Sequence, residues 1–132
     1  MKRLTIVLVS SLVASCGREC TLRGCVDTIE FVFAEAQVAH VVDGATVRVC
    51  VDDACLDHTI GTTTLYDAGL RRLQVLQGEP AAGTTAKVTL TLTREGRERL
   101  RREWPDVTFS SVEPNGPVCG PTCHAAGPLP VE

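Results

Sequence analysis

The feature that most constrains this chain is an alternation of apolar and polar residues, sustained over short runs and then broken by Gly, Pro, Asn or Asp. Ile29-Glu30-Phe31-Val32-Phe33 puts Ile29, Phe31 and Phe33 on one side. Val47, Val49 and Val51 alternate with Thr46, Arg48 and Cys50, and Val88, Leu90 and Leu92 alternate with Thr89, Thr91 and Thr93. Successive side chains of an extended strand point to opposite faces, so each run buries one face and wets the other. Further strands are predicted over Leu56 to Gly61, Leu70 to Leu76 and Val107 to Glu113. Val38 to Val42 is expected to meet Thr46 to Val51 at Asp43-Gly44, a pair that tight hairpins use. About seven one-sided strands must cover one another's apolar faces, which gives an all-β class: an antiparallel sandwich of two sheets.

One segment carries two periods at once. Glu95 with Arg99, Glu98 with Arg102, and Leu100 with Trp104 are four residues apart, as on a helix that Pro105 would end. Arg97, Arg99 and Arg101 also alternate as on a strand, with Glu95-Gly96 turning it back on Lys87 to Thr93; the two readings stand level. Arginines 94, 97, 99, 101 and 102 suit acidic lipid headgroups or a polyanion, but Glu95, Glu98 and Glu103 among them favour a self-neutralised, solvated face. The strand count and turn spacing resemble the immunoglobulin-like superfamily in architecture. That superfamily places a tryptophan between two bridged cysteines, whereas Trp104 lies late, between Cys55 and Cys119.

The N-terminus reads as an address. Met1-Lys2-Arg3 is basic, Leu4 to Ala14 is apolar apart from Thr5, Ser10 and Ser11, and the stretch is shorter than the roughly 20 residues a membrane span needs. Val13-Ala14-Ser15-Cys16 resembles the lipobox of bacterial lipoproteins. The resemblance covers only the first sixteen residues. It implies diacylglycerol on the sulfur of Cys16, cleavage between Ser15 and Cys16, and a chain held by acyl groups on the extracytoplasmic side of a membrane, at the outer membrane or cell surface. Residues 1–15 would then be the signal, 16–24 the lipidated cysteine and a short tether, and 25–132 the folded domain. Two or more acyl chains hold firmly where one binds reversibly, at roughly 0.8 kcal/mol per buried methylene. The tether, Gly17 to Gly24, spans at most about 29 Å, so the domain is expected close to the lipid surface.

Cysteine arithmetic points the same way. Seven cysteines are an odd number, and setting Cys16 aside leaves an even set of disulfide candidates: Cys20, Cys25, Cys50, Cys55, Cys119 and Cys123. They fall in three close pairs and suit an oxidising compartment. Cys50 and Cys55 face each other if Asp52-Asp53 is a hairpin turn, within disulfide range. For the other four, local bridges would close short loops worth roughly 2 kcal/mol each, and a bridge between the chain's two ends about 4.7 kcal/mol. Spacing does not decide between them.

Removing Lys2 and Arg3 leaves 11 of the 13 basic residues against 16 acidic ones, a formal charge of −5. Nucleic acid, which needs a basic face, is therefore not an expected partner. Cys119-Gly120-Pro121-Thr122-Cys123 has one residue too many for the thioredoxin-type redox motif, so a structural bridge is the plainer reading. Cys123-His124 is a poor match to haem attachment. His40, His58 and His124, or Asp52, Asp53 and Asp57, form no dedicated metal motif, since a calcium loop's glycine and distal glutamate are missing. No catalytic residue and no resident cofactor beyond the lipid is predicted.

Function is therefore expected in one of two classes. The first is a non-catalytic binding or structural module on a lipid anchor, with membrane lipid and an envelope protein as partners and with Gly61 to Gly69 or Gln77 to Thr85 as binding loops. The second is an envelope thiol-disulfide, metal or haem protein using Cys119, Cys123 and His124.

Overall fold

A computed structural model of the chain describes residues 25–76, 85–116, 119, 120 and 122–132. The expected signal, the cleavage and lipidation residues Ser15 and Cys16, the tether, Cys20 and most of the Gln77 to Thr85 loop lie outside the described residues. The described chain is all-β and forms two sheets. Its strands are β1 (Thr28–Phe33), β2 (Thr46–Val51), β3 (Ala54–Thr59), β4 (Leu65–Asp67), β5 (Arg72–Leu76), β6 (Thr85–Arg94), β7 (Arg97–Thr108), β8 (Ser110–Val112) and β9 (Cys123–Val131). A five-stranded sheet has the order β4-β5-β1-β9-β8 and a four-stranded sheet the order β3-β2-β6-β7. All pairings are antiparallel except β1 with β9.

The alternating runs become the core. Ile29, Phe31 and Phe33 are sealed from solvent on β1, as are Val47 and Val49 on β2 and Val88 and Leu90 on β6. They meet between the sheets with Leu73, Val75, Leu92 and Val131. Trp104 of β7 packs its ring 5.5 Å from that of Phe31, and Tyr66 stands edge-on to Phe33 at 6.2 Å. The first contact joins the two layers and the second braces β4 against β1 within one sheet, each by more than buried area alone.

One expectation is corrected and one open reading is decided. The segment before Asp43-Gly44 is no strand: Glu35–His40 is a 3-10 helix. A hairpin there would have kept the chain in one sheet, whereas β1 and β2 belong to different sheets and the segment has to carry the crossing. Gly44, at φ +83°, donates its N–H to the carbonyl of Ile60, which fixes the corner. The ambiguous segment is a strand and not a helix. Glu95 and Gly96 both take positive φ, the signature of the two-residue turn that matches strand twist, and Arg94 pairs with Arg97 across it. β7 is a twelve-residue edge strand. Its run of arginines and glutamates with Pro105 makes that edge a poor template for another strand.

The tail adds a strand outside those predicted: despite Gly127, Pro128 and Pro130, Cys123–Val131 is a strand placed between β1 and β8. The ladder tolerates it because the register shifts opposite Glu30; the Gly127–Pro128 peptide there is cis. Only glycine fits at 127: its φ is +104°, and a Cβ would stand 2.3 Å from the Glu30 carbonyl oxygen. On the far side of the sandwich, the Nε of Arg102 on β7 donates to the main-chain oxygen of Glu132 at 2.7 Å, with its terminal nitrogen on the same atom. β9 is thus tied at its end to the opposite sheet.

Candidate functional site

The register gives the molecule two ends. At one end lie Cys25, the start of β1, the end of β5 (Leu76 opposite Thr28), the end of β8 (Val112 opposite Cys123) and the β2–β3 turn. The β6–β7 turn, the β4–β5 turn and the C-terminus of β9 lie at the other. β6 alone is ten residues, so the ends are about 30 Å apart at strand rise.

The Cys25 end carries the cysteine chemistry. Cys25 is bonded to Cys123, a separation of 98 residues with the two Cα atoms 5.9 Å apart. Cys119 is disulfide-bonded as well. Cys119 and Cys123 therefore do not bridge each other, nor do Cys20 and Cys25; the parallel pairing of β1 with β9 brings residue 123 to residue 25 and overrides proximity in sequence. Cys50 and Cys55 are bonded across the β2–β3 hairpin, Cα to Cα 4.0 Å, in the register that Asp52-Asp53 predicts.

Beside the Cys25–Cys123 bridge, Asp27 accepts the backbone N–H of His124 at 2.6 Å, and its carboxylate stands 3.6 Å from the His124 Nδ1. Both side chains are nearly enclosed, 13% and 14% exposed. The Nε2 of His124 is buried. The three histidines are scattered: His40 in the 3-10 helix, His58 on the inner side of β3, His124 at the Cys25 end. Among the described residues no three of His, Cys, Asp or Glu are grouped to hold a metal ion, and no helix is long and apolar enough to cross a membrane.

Two of the three aspartates weighed for calcium, Asp52 and Asp57, have other partners. Asp52 caps the hairpin: its N–H goes to the Lys87 carbonyl at 2.8 Å and its carboxylate accepts the Lys87 N–H at 3.0 Å. Asp57 takes two hydrogen bonds from Arg48, 2.7 and 3.0 Å, because the two residues are paired across β2 and β3. Those bonds pull the Asp57 carboxyl below the usual aspartate range and raise Arg48.

These groups belong to the outer face of the four-stranded sheet, where an open cleft of about 710 Å³ runs over Thr89 and Thr91 between Arg48 and Arg101. A smaller hollow of about 230 Å³ adjoins it at Arg48 and Thr91. Arg101 binds Glu103 at 3.1 Å and Lys87 reaches the same carboxylate at 3.3 Å; these hydrogen bonds hold Glu103 below its ordinary range. The cations of this face are therefore spoken for. What remains is a ladder of threonine hydroxyls beside a disulfide, framed by fixed ion pairs.

On the other sheet, a hollow of about 570 Å³ is lined by Glu30, Tyr66, Asp67, Leu70, Arg72 and Gln74. Arg72 and Gln74 both hold the Glu30 carboxylate, at 3.3 and 3.1 Å. Burial raises the Tyr66 phenol, whose oxygen lies inside the protein. Of the predicted binding loops, Gly61 to Gly69 contributes this Tyr66, although its first half is a tight turn closed by Thr63 on Thr59. Of the five arginines, Arg94 ends β6 and the other four lie on β7, and Glu95 and Glu103 pair with Arg94, Arg99 and Arg101.

Sequence reasoning missed the Arg48–Asp57 pair, although the hairpin register contains it. It also missed Asp27, for which a strand at the tail had first to be recognised. Comparison with protein-family models, with curated proteins and with solved structures found no match for the chain.

Proposed function

We propose that this chain is a cell-envelope lipoprotein, anchored through acyl groups on Cys16 at the extracytoplasmic side of a bacterial membrane, and that its sandwich is a non-catalytic binding or structural module. The observation that carries the reading is the Cys25–Cys123 disulfide. A bridge of this kind persists in an oxidising compartment, and it fixes residue 25, nine residues after Cys16, to one end of the fold. The lipobox-like Val13-Ala14-Ser15-Cys16 and the odd cysteine count support it independently.

The sandwich itself is proposed to be immunoglobulin-like. Neighbour relations support this: β4-β5-β1 stand as strands D, E and B do in that fold, and β3-β2-β6-β7 as C′, C, F and G. β9 takes the place of strand A beside β1, but parallel to it. The tryptophan and bridge of antibody domains have no counterpart, since Trp104 is on β7 and Cys123 on β9. The cleft over Thr89 and Thr91 is the proposed ligand face. Its neutralised cations suit a polar ligand of little net charge.

Intact mass spectrometry of the protein from bacterial membranes, wild type beside Cys16→Ser, tests the address. A mass that starts at Cys16, carries acyl chains and gains six alkyl groups after reduction is expected. An unlipidated mass with Cys16 free or bridged would overturn it.

A further inference from the structure

Five large apolar side chains among the described residues are strongly exposed, and three of them gather at the Cys25 end: Val26 at 60%, Leu76 at 52% and Val112 at 40%. Their placement follows from the strand register. Leu76 on β5 is paired with Thr28, two residues after Val26. Val112 on β8 is paired with Cys123, which is bonded to Cys25. β5, β1, β9 and β8 are consecutive in the sheet, so the three side chains rim one end over a width of roughly 14 Å at normal strand spacing.

We propose that this rim seats on the lipid bilayer, with Val26, Leu76 and Val112 in the zone where headgroups meet acyl chains. The inference rests on the lipoprotein reading and adds an orientation to it. The occupant is set by the chain outside the described residues. From Cys16, whose acyl groups would lie in the bilayer, only Gly17 to Gly24 precede Cys25, and at full extension they reach about 29 Å. The Cys25–Cys123 bridge prevents the first residues of the domain from peeling away to lengthen that reach. A domain held this close presents the end from which its tether leaves, and that end is where the apolar side chains are concentrated.

Charge selects the kind of surface. The same end carries Asp52 and Asp53 in the β2–β3 turn, and Glu113 follows Val112. Contact is therefore apolar and independent of anionic lipid. The arginines of the β6–β7 turn stand at the opposite end, about 30 Å away along β6, and face outward from the membrane that holds the anchor.

The test uses the full, lipidated chain in phosphatidylcholine vesicles whose acyl chains are brominated near the glycerol. Trp104 is the native tryptophan and half-buried in the core, so it supplies a constant background. Leu76→Trp and Val112→Trp each add a reporter at the rim; Leu70→Trp adds one at the β4–β5 turn, at the other end. The two rim reporters are expected to lose at least twofold more emission to bromine than Leu70→Trp, which should follow wild type, with no change between low and high salt. If the mass confirms acyl chains and all three variants follow wild type, the seating is wrong and the anchor stands. Equal quenching at Leu70 and Leu76 would mean that the domain lies flat, which also overturns it. A chain without acyl groups that does not float with the vesicles overturns the lipoprotein reading and the seating together.

Discussion

Replacing Cys25 and Cys123 together by alanine removes a cross-link between the first strand's approach and the last strand, and the cost scales with the length of chain the link closes. With the partners 98 positions apart in sequence, the loop-closure entropy returned to the unfolded chain corresponds to about 4.7 kcal/mol at 25 °C. The same treatment of Cys50 and Cys55, five residues apart, gives about 2 kcal/mol. Both pairs are replaced whole, so neither variant leaves a lone thiol from the bridge it loses. Urea unfolding of the oxidised proteins is the assay, with the midpoint and slope read separately, because a changed slope reports the unfolded chain's compactness. Against a total of order 5–15 kcal/mol for such a domain, the first variant should lose about 30% or more of its stability and the second distinctly less. If removing the hairpin bridge costs as much as removing the long one, the entropic reasoning is wrong, and β9 is held to β1 by its ladder and packing rather than by the clamp.

Three further outcomes follow from the geometry. Gly127→Ala forces a Cβ to 2.3 Å from the Glu30 carbonyl, while Gly44→Ala meets nothing within 4 Å at φ +83°; thermal unfolding should show about 1 kcal/mol of strain at residue 44 and at least about twice that at 127, and equal losses would contradict the packing of β9 on β1. Phe31→Ala empties a fully buried site against Trp104 and should cost about 3–5 kcal/mol, with a red-shifted Trp104 emission; a loss under 1 kcal/mol would place Phe31 outside the core. Asp57 titrates below the ordinary aspartate range because Arg48 donates two hydrogen bonds to it. Its folded value is depressed, so its stabilising contribution is complete above the unfolded value and fades as pH falls through the folded one. Arg48→Gln should move the Asp57 midpoint upward in a carboxyl NMR titration, and an unmoved midpoint would remove the pair from the account.

What the sequence disclosed was local in origin. Ile29, Phe31 and Phe33, or Val88, Leu90 and Leu92, needed only the period of a strand to be assigned to the core. The Cys50–Cys55 bridge needed only a two-residue turn at Asp52-Asp53, and the same register carried Arg48 to Asp57. The 95–104 segment sat at the limit of this kind of reasoning. One of its two four-residue charge pairs survives in the strand arrangement, since Arg99 still reaches Glu95 at 3.5 Å around the turn, whereas Arg102 turns to the main-chain oxygen of Glu132 and not to Glu98; a period of four was therefore no guide to helix. The tail lay beyond it. Gly127, Pro128 and Pro130 carry every local mark of a loop, and their place in a sheet depends on β1, about a hundred residues earlier.

That dependence also explains why the cysteine pairing was undecidable and the Asp27–His124 contact invisible. Both are consequences of one long-range event, the insertion of β9 between β1 and β8. Until β9 is in place, β1 has no neighbour on that side, and the Ile29, Phe31 and Phe33 face is covered by the opposite sheet alone. The contacts that complete the five-stranded sheet are therefore among those of greatest sequence separation, whose closure entropy must be met before they stabilise anything. A covalent bond between Cys25 and Cys123 meets it once and permanently. It acts at the end of the sheet where the described chain begins, so on the proposed lipoprotein reading the bond that completes the fold is also the bond that sets which end faces the anchor.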